Sequence, residues 1–123
     1  MSLSTVIAVA AGGALGALSR WGAGQAAMRL GADAFWATAS VNVVGSFGLG
    51  ALASLAVARG GALAPFLLVG FFGAFTTFST LALDAVALSE GRGLSAACAY
   101  VLASVVLGIA AFAGGVALAR GLA

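Results

Sequence analysis

Gly73-Ala74-Phe75-Thr76-Thr77-Phe78-Ser79-Thr80 lies inside an apolar run from Ala64 to Ser89. That run is long enough to cross a bilayer, for which about 20 residues suffice. Four hydroxyl residues fall within the five positions 76–80, behind Gly70 and Gly73. Hydroxyls compete for backbone hydrogen bonds, and glycine permits a break, so this is poor material for an uninterrupted membrane helix. A discontinuous helix at membrane depth survives only where it is buried or lines a cavity, where it exposes carbonyls and an N-terminal dipole. Freed carbonyls suit a hard cation such as Na⁺; freed amides and hydroxyls suit an anion. The sequence therefore predicts a broken helix here and places the functional centre at the break.

Outward from this stretch the whole chain is apolar. Of 123 residues, 63% are hydrophobic and 7% charged, and the mean hydropathy is +1.22. A soluble domain carries about 25% charged residues, so there is too little charge to cover a soluble surface. The charges stand at Arg20, Arg29, Asp33, Arg59, Asp84, Glu90, Arg92 and Arg120. Between them the sequence predicts four spans, Leu3 to Leu30, Phe35 to Ala58, Ala64 to Ser89 and Leu94 to Arg120. The runs are far too long for barrel strands, so the spans are helices. Pro65 opens the third span, where a missing amide donor costs nothing. The expected fold is an all-α integral membrane protein, one four-helix domain over residues 1–123 with no soluble domain left over. Gly12 and Gly16, and Gly45, Gly48 and Gly50, read as faces on which helices approach closely.

The scattered arginines give a net charge of +2 without a basic run, which speaks against a nucleic-acid partner. The only cysteine, Cys98, is inside an apolar run, so disulfides and cysteine metal sites are excluded. The N-terminus lacks a positive region ahead of its apolar stretch and is read as a first span, not a cleaved signal. With no histidine and no cluster of metal ligands, general acid–base catalysis lacks partners, and the chain is read as no enzyme. If the helices alternate, Arg59 and Arg120 lie on the side of the N-terminus and Arg29 and Arg92 on the other. The rule that keeps arginine-rich loops inside then makes no choice. A chain without a preferred direction can insert both ways, and two copies can pair head to tail about an axis in the membrane plane.

Polar groups inside a membrane each need a reason. Arg20 follows Gly12 and Gly16 at four-residue intervals and shares their face; it is either an interfacial arginine or one facing a water-filled vestibule, where it would attract anions. Asn42 offers two donors to an anion or to a neighbouring helix. Phe78 is either packing or a ring whose electropositive edge faces a dehydrated anion; packing is the expectation for Phe71, Phe72 and Phe75.

These residues resemble the Fluc fluoride channels, also called CrcB proteins, over essentially the whole chain. Gly12-Gly13-Ala14-Leu15-Gly16-Ala17-Leu18-Ser19-Arg20 is similar to the family's GGxxGAxxR, and Val41-Asn42-Val43-Val44-Gly45-Ser46-Phe47 to its VNxxGSF. Gly70-Phe71-Phe72-Gly73-Ala74-Phe75-Thr76-Thr77-Phe78-Ser79-Thr80 is similar to GFxGxxTTFST. The resemblance implies an antiparallel, dual-topology dimer with two fluoride pathways. It implies that Asn42 donates to fluoride and that Phe78 lines the path with its ring edge. Tyr100 and Ser104 match polar residues along the pore, with Thr77 and Ser79 as further hydroxyl candidates, and Arg20 matches the vestibule arginine. It implies a structural Na⁺ on the dimer axis, held by backbone oxygens at Gly73 and Thr76. The family commonly has a second phenylalanine where this chain has Leu81; a heterodimer with a paralogue is one answer to that, a homodimer the favoured one.

The expected function is passive export of fluoride from a bacterial cell, through a multi-pass protein of the plasma (inner) membrane. An alternative is a proton-coupled exporter of the small dual-topology multidrug type, for which Asp84 is the candidate carboxylate. A non-transporting subunit of a membrane assembly is a third; it leaves Arg20, Asn42 and the hydroxyl stretch unmotivated.

Overall fold

The computed structural model describes residues 2–122, and all regular structure within them is helical. Helix α1 covers Leu3–Arg29 and α2 covers Ala34–Arg59. The third span opens with a π-helical segment, Pro65–Phe71, continues as α3, Phe72–Phe75, and resumes as α4, Phe78–Arg92. Helix α5 covers Leu94–Gly121. Four stretches are thus long and apolar enough to cross a membrane, Leu3–Arg29, Ala34–Arg59, Pro65–Arg92 and Leu94–Gly121. The expected spans agree to within a residue or two at most ends. The third runs on past Ser89, whose hydroxyl donates to Val86 O within the helix (2.7 Å), to Arg92 and ends at Gly93, whose φ of 91° suits glycine.

Packing follows the small residues. Helix α1 lies against the π-helical segment and α3, and α2 lies along α5. A Cβ at Gly12 would strike Phe66 O, and one at Gly16 would strike Phe71 O, so these glycines bring the α1 backbone onto the carbonyls of the third span. Gly70 answers from the other side, 2.7 Å from Val9 O at the position a Cβ would take. Between α2 and α5 the same device recurs: a Cβ at Gly50 would meet Phe112 O, and one at Gly115 would meet Phe47 O. No large side chain is fully buried among the described residues. The bundle is held by backbone proximity, as expected where lipid supplies no hydrophobic drive between helices.

Candidate functional site

The site is built where the third span leaves helical geometry. Thr76 has φ −79° and ψ 156°, and Thr77 has φ −151° and ψ 118°, both extended. Gly73 itself lies within α3. In an uninterrupted helix Thr77 N would donate to Gly73 O and Thr80 N to Thr76 O. Here both donors are taken elsewhere. Thr77 N donates to Asn42 Oδ1 at 2.7 Å, and Thr80 N to Thr77 Oγ1 at 3.1 Å, so Thr77 caps α4. Thr77 Oγ1 also donates to Thr80 Oγ1 (3.0 Å) and lies 3.2 Å from Ser79 Oγ. Thr76 Oγ1 returns to Phe72 O at 2.9 Å. Hydroxyls and one amide side chain therefore satisfy polar groups that water would satisfy in a soluble protein.

Asn42 reaches this stretch from α2. Its Nδ2 donates to Thr77 O at 3.0 Å while its Oδ1 accepts from Thr77 N, so the side chain pairs with both backbone groups of one residue. Gly45, one turn on, makes the approach possible: a Cβ there would strike the Thr76 methyl and lie 3.0 Å from Phe75 Cδ1. Only one of the two Asn42 amide hydrogens is used on Thr77.

Two grooves meet here. The first is lined by Asn42, Ser46, Thr76, Thr77, Phe78 and Ser104, with Leu81 and Gly108 among its apolar lining. Phe78 is 80% exposed and therefore faces the groove and its surroundings and not the bundle, whereas Leu81 is buried. The second groove is lined by Tyr100, Ser104, Phe35, Val43 and Arg92. Ser104 is buried and belongs to both, so it is the junction. Tyr100, Ser104 and Gly108 fall at four-residue intervals on one face of α5. The Tyr100 hydroxyl donates to Asp84 Oδ2 at 3.2 Å, and its ring meets Phe35 edge-on, 5.6 Å between centroids. At the outer end Arg92 is paired with Asp33 (2.7 Å) and stands over the Phe35 ring at 5.4 Å.

Arg20 lies apart from Phe78, in a cavity shared with Trp21, Met28, Thr38, Thr77 and Thr80. Its Nη1 donates to Thr76 O at 3.5 Å, a long bond that turns the guanidinium towards the extended stretch. Thr77 lines both this cavity and the Phe78 groove. The structure thus gathers Asn42, Thr76, Thr77, Phe78 and Ser104; it sets Tyr100 one groove further along and leaves Ser79 exposed outside both. Sequence reading missed Thr80 as the partner of Thr77, and Thr38, which is buried in the Arg20 cavity. Thr80 carried a signal, its three-residue spacing from Thr77; Thr38 carried none.

The donor set suits two ions differently. The carbonyls of Gly73 and Thr76 are relieved of their helical amides, Thr76 O keeping only the long bond from Arg20, and such carbonyls are the chemistry a hard cation requires. The remaining Asn42 hydrogen, the hydroxyls and the ring edge of Phe78 suit an anion.

A family model described as CrcB-like protein, Camphor Resistance (CrcB), matches residues 7–116. The chain is 48% identical over 119 residues to the fluoride-specific ion channel FluC of Paracoccus denitrificans, covering 96% of each chain. It is 46% identical over 120 residues to the protein of that name from Cereibacter sphaeroides, covering 97% of each. It is 46% identical over 118 residues to the one from Agrobacterium fabrum, covering 93% of this chain and 94% of that one. With the family model covering most of its length and relatives matching it nearly end to end, the chain belongs to the CrcB family.

Proposed function

We propose that the protein is a fluoride-selective channel that lets fluoride leave a bacterial cell passively across the plasma membrane. The observation that carries this reading is the nearly end-to-end identity to fluoride-specific channels, joined to a groove whose polar lining offers hydrogens and an aromatic edge to an anion. Fluoride passes from the Arg20 side to Phe78 and Asn42, and onward by Ser104 and the Tyr100 groove. Arg20 raises the local anion concentration. Asn42 contributes its uncommitted amide hydrogen, and Phe78 its ring edge. Thr77, which lines both the Arg20 cavity and the Phe78 groove, is a further hydroxyl on the route, while Ser79 stands outside it. Tyr100 reaches the ion with its hydroxyl only by exchanging its bond to Asp84. Export needs no energy coupling, because an inside-negative potential drives an anion out with about 2.3 kcal/mol per charge per 100 mV.

The working unit in this reading is an antiparallel dimer of two identical chains with a third helix discontinuous at Thr76–Thr77. Its support is the open groove: with Phe78 80% exposed, one copy leaves the path unwalled on one side, and a second copy would wall it. A sodium ion held by the Gly73 and Thr76 carbonyls would supply a charge tying the copies together. One chain offers it two oxygens, and the two-fold axis doubles them.

The test is fluoride efflux from K⁺-loaded liposomes containing this chain alone, with valinomycin and a fluoride electrode, against a chloride control. Rapid fluoride efflux without chloride efflux is expected. Silence from monodisperse protein would count against a self-sufficient homodimer, and co-reconstitution with a paralogue would then separate a missing partner from a different function.

A further inference from the structure

We propose that Asn42 holds the third span open, and that its two amide hydrogens divide the work: one is spent permanently on the Thr77 backbone and the other serves the passing ion. The first half stands on geometry alone; the second rests on the fluoride reading above.

A primary amide carries the same C=O and N–H pair as a peptide group. Thr77 is in strand geometry, φ −151° and ψ 118°. Asn42 accepts from its N–H at 2.7 Å and donates to its C=O at 3.0 Å. That is the double exchange by which neighbouring residues pair across an antiparallel ladder. A helical side chain therefore acts as a one-residue strand, and Thr77 gains in an extended conformation the partners it would otherwise find by becoming helical. In lipid the comparison is sharp, because an extended residue without such partners has no water to turn to.

The neighbouring residues fit this role. Gly45 removes the Cβ that would hold Thr76 and Phe75 away from α2. Thr77 Oγ1 takes the Thr80 amide and starts α4 immediately beyond the paired residue. With Thr77 N diverted to Asn42 and Thr80 N to Thr77, the Gly73 and Thr76 carbonyls are released by side chains of the same protein. The released oxygens then precede any ion that uses them: a cation would find the interruption already formed. Asparagine supplies both groups: aspartate keeps the acceptor but loses the donor and faces Thr77 O with charge, and alanine loses both.

Labelling is favourable for a test. Asn42 is the only asparagine, and the threonines are Thr5, Thr38, Thr76, Thr77 and Thr80. Solid-state NMR on lipid-reconstituted, full-length protein carrying ¹³C-threonine and ¹⁵N-asparagine reads both halves. In buffer free of sodium and fluoride, Thr76 and Thr77 should show extended Cα and Cβ shifts. Helical shifts that turn extended only when sodium is added would overturn the lock, because the ion would then be what opens the span. In Asn42→Ala the Thr77 shifts should move to helical values; shifts that stay extended in a folded variant would equally overturn it. Should Asn42→Ala not fold, the ion-free wild-type spectrum still decides. For the second half, fluoride titration should move one Asn42 side-chain proton and leave the proton bonded to Thr77 O in place. Movement of both, or of neither, would refute the division of labour while leaving the lock standing, and liposome efflux reports separately on whether the protein conducts fluoride at all.

Discussion

At the residue scale, two phenylalanines three positions apart have opposite surroundings. Phe75 stacks on Phe71 with centroids 5.7 Å apart and planes 14° from parallel, beneath Gly45. Phe78 is 80% exposed and lines the groove beside Asn42. Phe78→Ala should therefore suppress fluoride efflux with little change in the thermal midpoint of the purified protein. Phe75→Ala should lower that midpoint; truncating a fully buried phenylalanine costs about 3–5 kcal/mol, and half-burial makes the loss smaller. Equal effects of the two substitutions on both measurements would remove Phe78 from the pathway. Asp84 offers a second discrimination. Its carboxylate accepts from Tyr100 at 3.2 Å, an acceptor that asparagine reproduces without titrating. Asp84→Asn should leave efflux within about twofold of wild type, a factor worth under 1 kcal/mol; abolished transport would revive the proton-coupled exporter. The residue types at this site were legible in the sequence because lipid makes each polar group conspicuous. Their commitments were not: nothing in the local sequence says that Asn42, in α2, spends its amide on Thr77, which is 35 positions away.

At the scale of elements, the four spans and their ends were legible because arginine, aspartate and glycine interrupt otherwise continuous apolar runs. The π-helical segment was not, since Pro65–Phe71 has no composition that distinguishes it from an α-helix. What sets it apart is its tertiary contact. Gly12 and Gly16 bring the α1 backbone against Phe66 O and Phe71 O, and π-helical turns are common where a function shifts a helix register. The glycine faces were readable as packing surfaces from their spacing, but their partners were not. Gly12 and Gly16 meet the third span of the same chain. Gly16→Val should consequently destabilise the single chain by about 1–3 kcal/mol or more, the cost of overpacking, because the obstacle is a backbone carbonyl that cannot rotate away. Gly13→Val, where a Cβ meets nothing within 4 Å, is the matched control and should leave the thermal midpoint unchanged. A similar fall in both would mean that the small residues serve lipid contacts and not this packing.

At the scale of the whole molecule, the balance of charge has a local origin. Every span ends in an arginine in its last turn: Arg29, Arg59, Arg92 and Arg120. A cation there complements the negative end of each helix dipole. In a chain whose spans alternate direction, a cation at every C-terminus puts two on each side, so orientation is left undecided by the same residues that finish the helices. Charge added to one side only should break the tie. Ser2→Arg with Ala62→Arg biases the N-terminal side inward; Ala32→Arg with Ser95→Arg biases the opposite side inward. Expressed singly in a fluoride-sensitive bacterium, each variant should insert one way and fail to form the antiparallel pair, leaving cells about as sensitive as those without the gene. Expressed together, the two should restore resistance, because each supplies the orientation the other lacks. Full resistance from either variant alone would exclude the antiparallel dimer. Failure of the pair to rescue, with both proteins present in the membrane in opposite orientations, would equally count against the antiparallel dimer as the conducting unit.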